Sequence, residues 1–218
     1  MPRVLRQLAF YAGALGVVAV PMVGCALSLE LSMAECTVVP ENDRVSMSSI
    51  VRFSDFNTAF GVSGALAVFA LLDALLDYDQ TTTGRVTCVG SALLMLAPFV
   101  VPISDGESYV TGDASTPTDW AHVAGAGGGA LLLWLYIYQL MSRESNIALM
   151  SIFSTFTLSG GVALTALLMD SLGAVGEARE LVMYGVLWGE FGVIGSILGL
   201  FNYATRERGR KQLKLWNV

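Results

Sequence analysis

The chain has 218 residues, of which 54% are hydrophobic and 14% charged, and its mean hydropathy is +0.62. That balance lies outside the range of soluble domains and fits an all-α, polytopic integral membrane protein, a compact helix bundle in one transmembrane domain over residues 1–218. A formal net charge of −6 argues against nucleic acid as a partner.

Six windows approach the roughly 20 apolar residues needed to cross a hydrocarbon core, at about 8–32, 58–77, 86–103, 119–141, 147–169 and 181–203. The first, "MPRVLRQLAFYAGALGVVAVPMVGCAL", has the basic start and apolar middle of a signal peptide and a lipobox-like "MVGC". Its apolar run continues to Leu31, long enough to span, so it reads as a retained helix kinked at Pro21. Cys25 and Cys36 fall toward the outer side and either pair in an oxidising compartment or stay as structural thiols, the reading that also suits Cys88. With one histidine and no Cys/His spacing, the sequence points to no metal and no cofactor.

The second predicted span carries Asp73 about one turn from its inner end. The fourth opens on "TPTDWAHVAGAGGG", where Thr116 suits an N-cap, Pro117 the first helical position and Asp119 a capping-box-like acid. His122 follows at i+3 from Asp119. Gly125 and Gly129 share one face there, and in the sixth span Gly185, Gly189, Gly192, Ser196 and Gly199 recur in steps of three and four. Small residues at that spacing predict close helix contact, a main source of association where lipid removes the hydrophobic drive.

Glu190 falls near the middle of the sixth span, and no Lys or Arg lies inside any predicted span to pair with it. An unpaired charge at that depth costs at least about 2.5–3.5 kcal/mol, so the group should be protonated or hydrogen-bonded. Counting from the span starts puts it six residues deeper than His122, about 9 Å, so a direct bond between them needs an offset or a water. His122, Glu190, Asp73 and Trp188 are therefore the polar intramembrane candidates. Glu30 and Asp170 fall near outer ends, where they should be solvated.

Cations set the expected orientation. Arg3, Arg6, Arg85, Arg143 and the tail fall on one side, against Arg44, Arg52 and Arg179 on the other, which predicts both termini inside. Arg206, Arg208, Arg210, Lys211 and Lys214 then meet lipid headgroups, each worth about 1 kcal/mol beside anionic lipid. The inner connections "DYDQTTTGR" and "SRESN" read as too short to hold a site, leaving any exposed recognition surface to the two long outer stretches between spans one and two and between spans three and four.

The pattern "AHVAGAGGGALLLWLYIYQLMS" with "LWGEFGVIGSILGLFNYATRERGRK" resembles the fourth and sixth helices of the DRAM/FRAG-type (damage-regulated autophagy modulator and receptor-activating Golgi) superfamily of six-helix membrane proteins. The matching positions are His122, Gly125, Ala126, Tyr136, Gln139, Trp188 and Glu190. The departures are a Gly between Trp188 and Glu190, and "ISDGES" following the third span instead of the first. The resemblance implies a non-enzymatic protein of an endomembrane, lysosomal or plasma membrane, linked to lipid handling. Two other classes stay open: an accessory subunit of a respiratory or photosynthetic assembly, packed against other membrane subunits and lipids in an organellar inner membrane, and a proton-coupled small-solute carrier working through Glu190 and Asp73.

Overall fold

A computed structural model describes residues 1–27, 57–100, 117–171 and 179–216; the side chains of 24–27, 117–120, 179–183 and 210–216 are among those outside the description. The expected Cys25–Cys36 pairing, the capping by Thr116 and Asp119, the settings of Glu30 and Asp170, and the side chains of Arg210, Lys211 and Lys214 all lie outside the described residues. The described chain is helical: α1 (Arg3–Leu27), α2 (Asn57–Tyr78), α3 (Thr82–Val100), α4 (Pro117–Glu144), α5 (Ile147–Ser171) and α6 (Arg179–Trp216). All six are long and apolar enough to cross a membrane. Large apolar side chains cover the outside, with Leu158 71% and Leu15 68% exposed, a surface that water would not tolerate over such an area.

The helices outrun the apolar windows at the end of the bundle where chain turns and charges collect. α1 begins at Arg3 and α6 continues to Trp216, 38 residues or about 57 Å. The expectation of no Lys or Arg inside a span therefore needs correction: Arg6 and Arg208 both lie within helices. The reason is local pairing. Arg6 is buried with its Nε 2.6 Å from Asp73 and Nη1 2.8 Å from Asp77, and Arg208 also meets Asp77. These contacts gather the start of α1, the end of α2 and the late part of α6 at one end, here called the polar end.

Two tight turns lie at the same end. Ser145 takes φ 40°, the left-handed conformation that commonly ends a helix, and its N–H donates to the Met141 carbonyl at 3.1 Å. Asn146 then caps α5, accepting the Ala148 N–H at 2.8 Å. Between α2 and α3, Thr81 is the cap, its hydroxyl accepting the Gly84 N–H at 3.2 Å.

Packing runs in three close pairs, α1 with α2, α3 with α4, and α5 with α6. Each is seamed by glycine. A β-carbon on Gly13 would come within 2.6 Å of the Ala67 nitrogen, and one on Gly129 within 2.8 Å of the Met95 nitrogen. On α6, one on Gly189 would be 2.6 Å from the Ala163 β-carbon and 2.7 Å from the Ser159 carbonyl oxygen. Gly185 faces Ala166, Gly192 faces Ser159, Gly199 faces Ile152, and Gly125 faces Leu94 and Ala97. Buried Ser196 returns its hydroxyl to the Gly192 carbonyl at 2.9 Å. Toward the polar end the pairs are joined by Phe10 stacked on Phe201, centroids 3.8 Å apart.

Candidate functional site: a polar clamp and an apolar chamber

The polar end is built around Asp79, whose side chain is 4% exposed. Arg143 reaches it from the last turn of α4, with Nη2 to Oδ2 at 2.5 Å and Nη1 to Oδ1 at 3.2 Å. Asp79 Oδ1 also accepts the Thr81 N–H at 3.0 Å and the Thr81 hydroxyl at 2.8 Å. Its carboxylate sits over the start of α3, where helix N–H groups favour negative charge. Gly84 makes room, since a β-carbon there would collide with the Asp79 carboxylate. Burial alone pushes the Asp79 carboxyl up, but the hydrogen bonds from Arg143 and Thr81 outweigh it and hold the group below the ordinary carboxylate value. Beside this pair, Glu144 accepts hydrogen bonds from Tyr78 and, at 2.7 Å, from Tyr203, tying α2, α4 and α6 together.

The two short connections, expected to be too short to hold a site, thus supply a buried ion pair. "DYDQTTTG" supplies the acid, the cap and the clearance of one ion pair, and "SRES" supplies its guanidinium and a second acid. The missed signal was an Asp two residues before a Thr at a helix start, which is an N-terminal turn signature.

Away from that end, the three helix pairs enclose a chamber of about 710 Å³ lined from all six helices. Its wall is apolar, with Glu190 as the ionisable member. Thr157 is polar, but its hydroxyl donates to the Phe153 carbonyl at 2.8 Å and accepts the Trp134 indole N–H at 2.9 Å. These contacts, with Trp134 and Phe153 rings 5.2 Å apart, hold α4 on α5 nearest their shared turn. Further along, Gly127, Gly160 and Gly161 also line the chamber, and a β-carbon on any of them would meet nothing within 4 Å. These glycines therefore leave the chamber unfilled along α4 and α5.

The sequence-predicted candidates separate. Glu190 faces the chamber; His122, 6% exposed near the start of α4, is not among its lining residues. Trp188 is 68% exposed on the opposite side of α6, its ring tilted on Phe191 at 6.1 Å, as suits an aromatic side chain facing lipid. Asp73 belongs to the polar end with Arg6. In the tail, Arg208 pairs with Asp77 and Arg206 is exposed. Cys88 is a buried free thiol. Among the described residues no group of three or more His, Cys, Asp or Glu side chains is placed to hold a metal ion.

Six such apolar helices around a chamber fit an integral membrane helix bundle. No protein-family model, curated protein or solved structure matches the chain.

Proposed function

We propose that this is a non-enzymatic, six-span membrane protein with both ends on the inner side, whose work is to bind lipid within the bilayer. The observation that carries the reading is the chamber: space for part of a lipid, with an almost wholly apolar wall. The cation excess around the polar end supports the orientation, because inner loops retain Lys and Arg. The DRAM/FRAG-type resemblance of α4 and α6 agrees with a lipid-handling role in an endomembrane, lysosomal or plasma membrane.

One observation favours the accessory-subunit reading. α5 is the least buried helix, its outward face carrying Ile147, Met150, Leu158 and Leu168, a surface that another membrane subunit would cover as well as lipid does. Purification in mild detergent followed by intact mass spectrometry separates the two. A monodisperse chain retaining lipid is the expected result; a fixed set of protein partners and no retained lipid would replace the lipid reading with the subunit one. The carrier reading predicts proton-coupled solute uptake that Glu190→Gln abolishes, whereas a lipid-binding protein shows no such flux.

A further inference from the structure

The chamber wall offers a guest no free polar side chain to hold. No Lys or Arg lines it, the Trp134 indole N–H and the Thr157 hydroxyl are spent on each other and on the Phe153 carbonyl, and Glu190 already has an interaction within the protein. A lipid headgroup would lose its water there without regaining hydrogen bonds or a counter-charge. Water is disfavoured for the same reason, since an ordered molecule needs two to four polar partners. What suits the wall is hydrocarbon, and the space is ample. An apolar cavity of about 150 Å³ holds a benzene ring, which scales a chamber of about 710 Å³ to on the order of 25–30 carbons.

The depth of the wall narrows which hydrocarbon. Its residues run from Phe60 to Leu71 on α2, Ala126 to Trp134 on α4, Phe156 to Leu164 on α5 and Gly189 to Leu198 on α6, about 12–17 Å along the helix axes. That is about half of a hydrocarbon core of roughly 30 Å, the depth of one leaflet. On α3, α4, α5 and α6 these residues fall mainly in the half of the span away from the polar end. The half nearer the polar end is filled by packed side chains, with Tyr136, Leu140, Leu149 and Phe201 each 1% exposed or less.

Resting on the lipid-binding reading above, we propose that the chamber takes an acyl chain from the leaflet opposite the polar end, selected by its hydrocarbon and not by its headgroup, which stays outside the wall. Seated so, the carboxyl-end carbons lie beside Phe60, Ala126 and Leu164, and the methyl end reaches Leu71, Trp134, Phe156 and Leu198. The full chain is reconstituted in vesicles with a trace of phospholipid carrying a diazirine near the carboxyl end or at the methyl end of one acyl chain, irradiated, and mapped by peptide mass spectrometry. The first probe should mark residues 60–64, 126–127 and 163–164, and the second residues 130–134, 156–157 and 197–198. Both maps should be the same for phosphatidylcholine and phosphatidylglycerol probes of identical chains. Gly160→Leu with Gly161→Leu should abolish the chamber adducts; both positions line the chamber and a β-carbon there meets nothing, so elution and helicity are retained. Gly195→Leu, where a β-carbon also meets nothing but which lies outside the wall, should leave the adducts unchanged.

The reverse order, with the methyl-end probe marking residues 60–64, would overturn the assignment. So would labelling that depends on the headgroup, or adducts confined to the outer helix faces and unaffected by the glycine replacements. In any of these events, lipid retained on the purified chain would leave the broader lipid-binding reading standing. Loss of retained lipid altogether would remove both.

Discussion

Arg143→Ala should destabilise the folded bundle by about 3–5 kcal/mol, because it leaves the Asp79 carboxylate buried without its counter-charge. Asp79 is nearly inaccessible, whereas Arg143 is 38% exposed, so the loss falls on the acid and not on the base. Arg143→Lys should recover part of the stability, since an ammonium keeps the charge but not the two-pronged contact. Unfolding in graded detergent, followed by far-UV circular dichroism, reads the effect. A double-mutant cycle with Asp79→Ala isolates the coupling.

The same pair sets an acid dependence whose sign is fixed by the direction of the Asp79 shift. Its folded value is depressed, so its contribution is fully present above the unfolded value of about 3.9 and disappears as pH falls through the lower folded value. This group gives no pH dependence above about pH 5. In Arg143→Ala, stability should lose that part of its acid limb.

The second large effect concerns the seams. Gly13→Leu and Gly189→Leu should each force a helix pair apart, at about 1–3 kcal/mol or more, because part of the obstacle is backbone, which no rotamer change can move. At Gly13 it is the Ala67 nitrogen and the Ser63 carbonyl oxygen, both at 2.6 Å. Gly127→Ala and Gly160→Ala are the contrasting pair. Their β-carbons meet nothing, and Ala is the better helix former by about 1 kcal/mol, so they should be neutral or stabilising. The same detergent titration compares all four. Equal losses at all four positions would mean that glycine acts through backbone flexibility, not through close approach.

What the sequence made legible follows from how local each feature is. The six spans were readable because each carries its own apolar run. The small-residue faces of α4 and α6 were readable from spacing within one helix, but their partners, Met95 on α3 and Ala163 on α5, were not. The clamp was hidden because Asp79 and Arg143 stand 64 positions apart and meet only when two short turns come to the same end. Arg6 was hidden for a related reason: it falls outside the apolar window, and only α2 packing beside α1 brings Asp73 and Asp77 to it. The chamber is a space left between helices, to which every span contributes a few side chains. "SGG" at 159–161 carried a trace of it, but glycines that face open space read in sequence like glycines in a seam. Glu190 was identifiable as a polar residue at depth, while what it faces was not.

A six-span bundle requires the polar end, with both short turns, to lie at one membrane surface. Thiol labelling in sealed vesicles tests this directly, using a chain whose Cys25, Cys36 and Cys88 are replaced by Ala and which carries one new cysteine at a time. Gln80→Cys, in the α2–α3 turn, and Ser145→Cys, in the α4–α5 turn, should respond alike to a membrane-impermeant maleimide, and Ser108→Cys, between α3 and α4, should respond oppositely. Labelling of Gln80→Cys and Ser145→Cys from different sides, or of all three from one side, would contradict the six-span bundle.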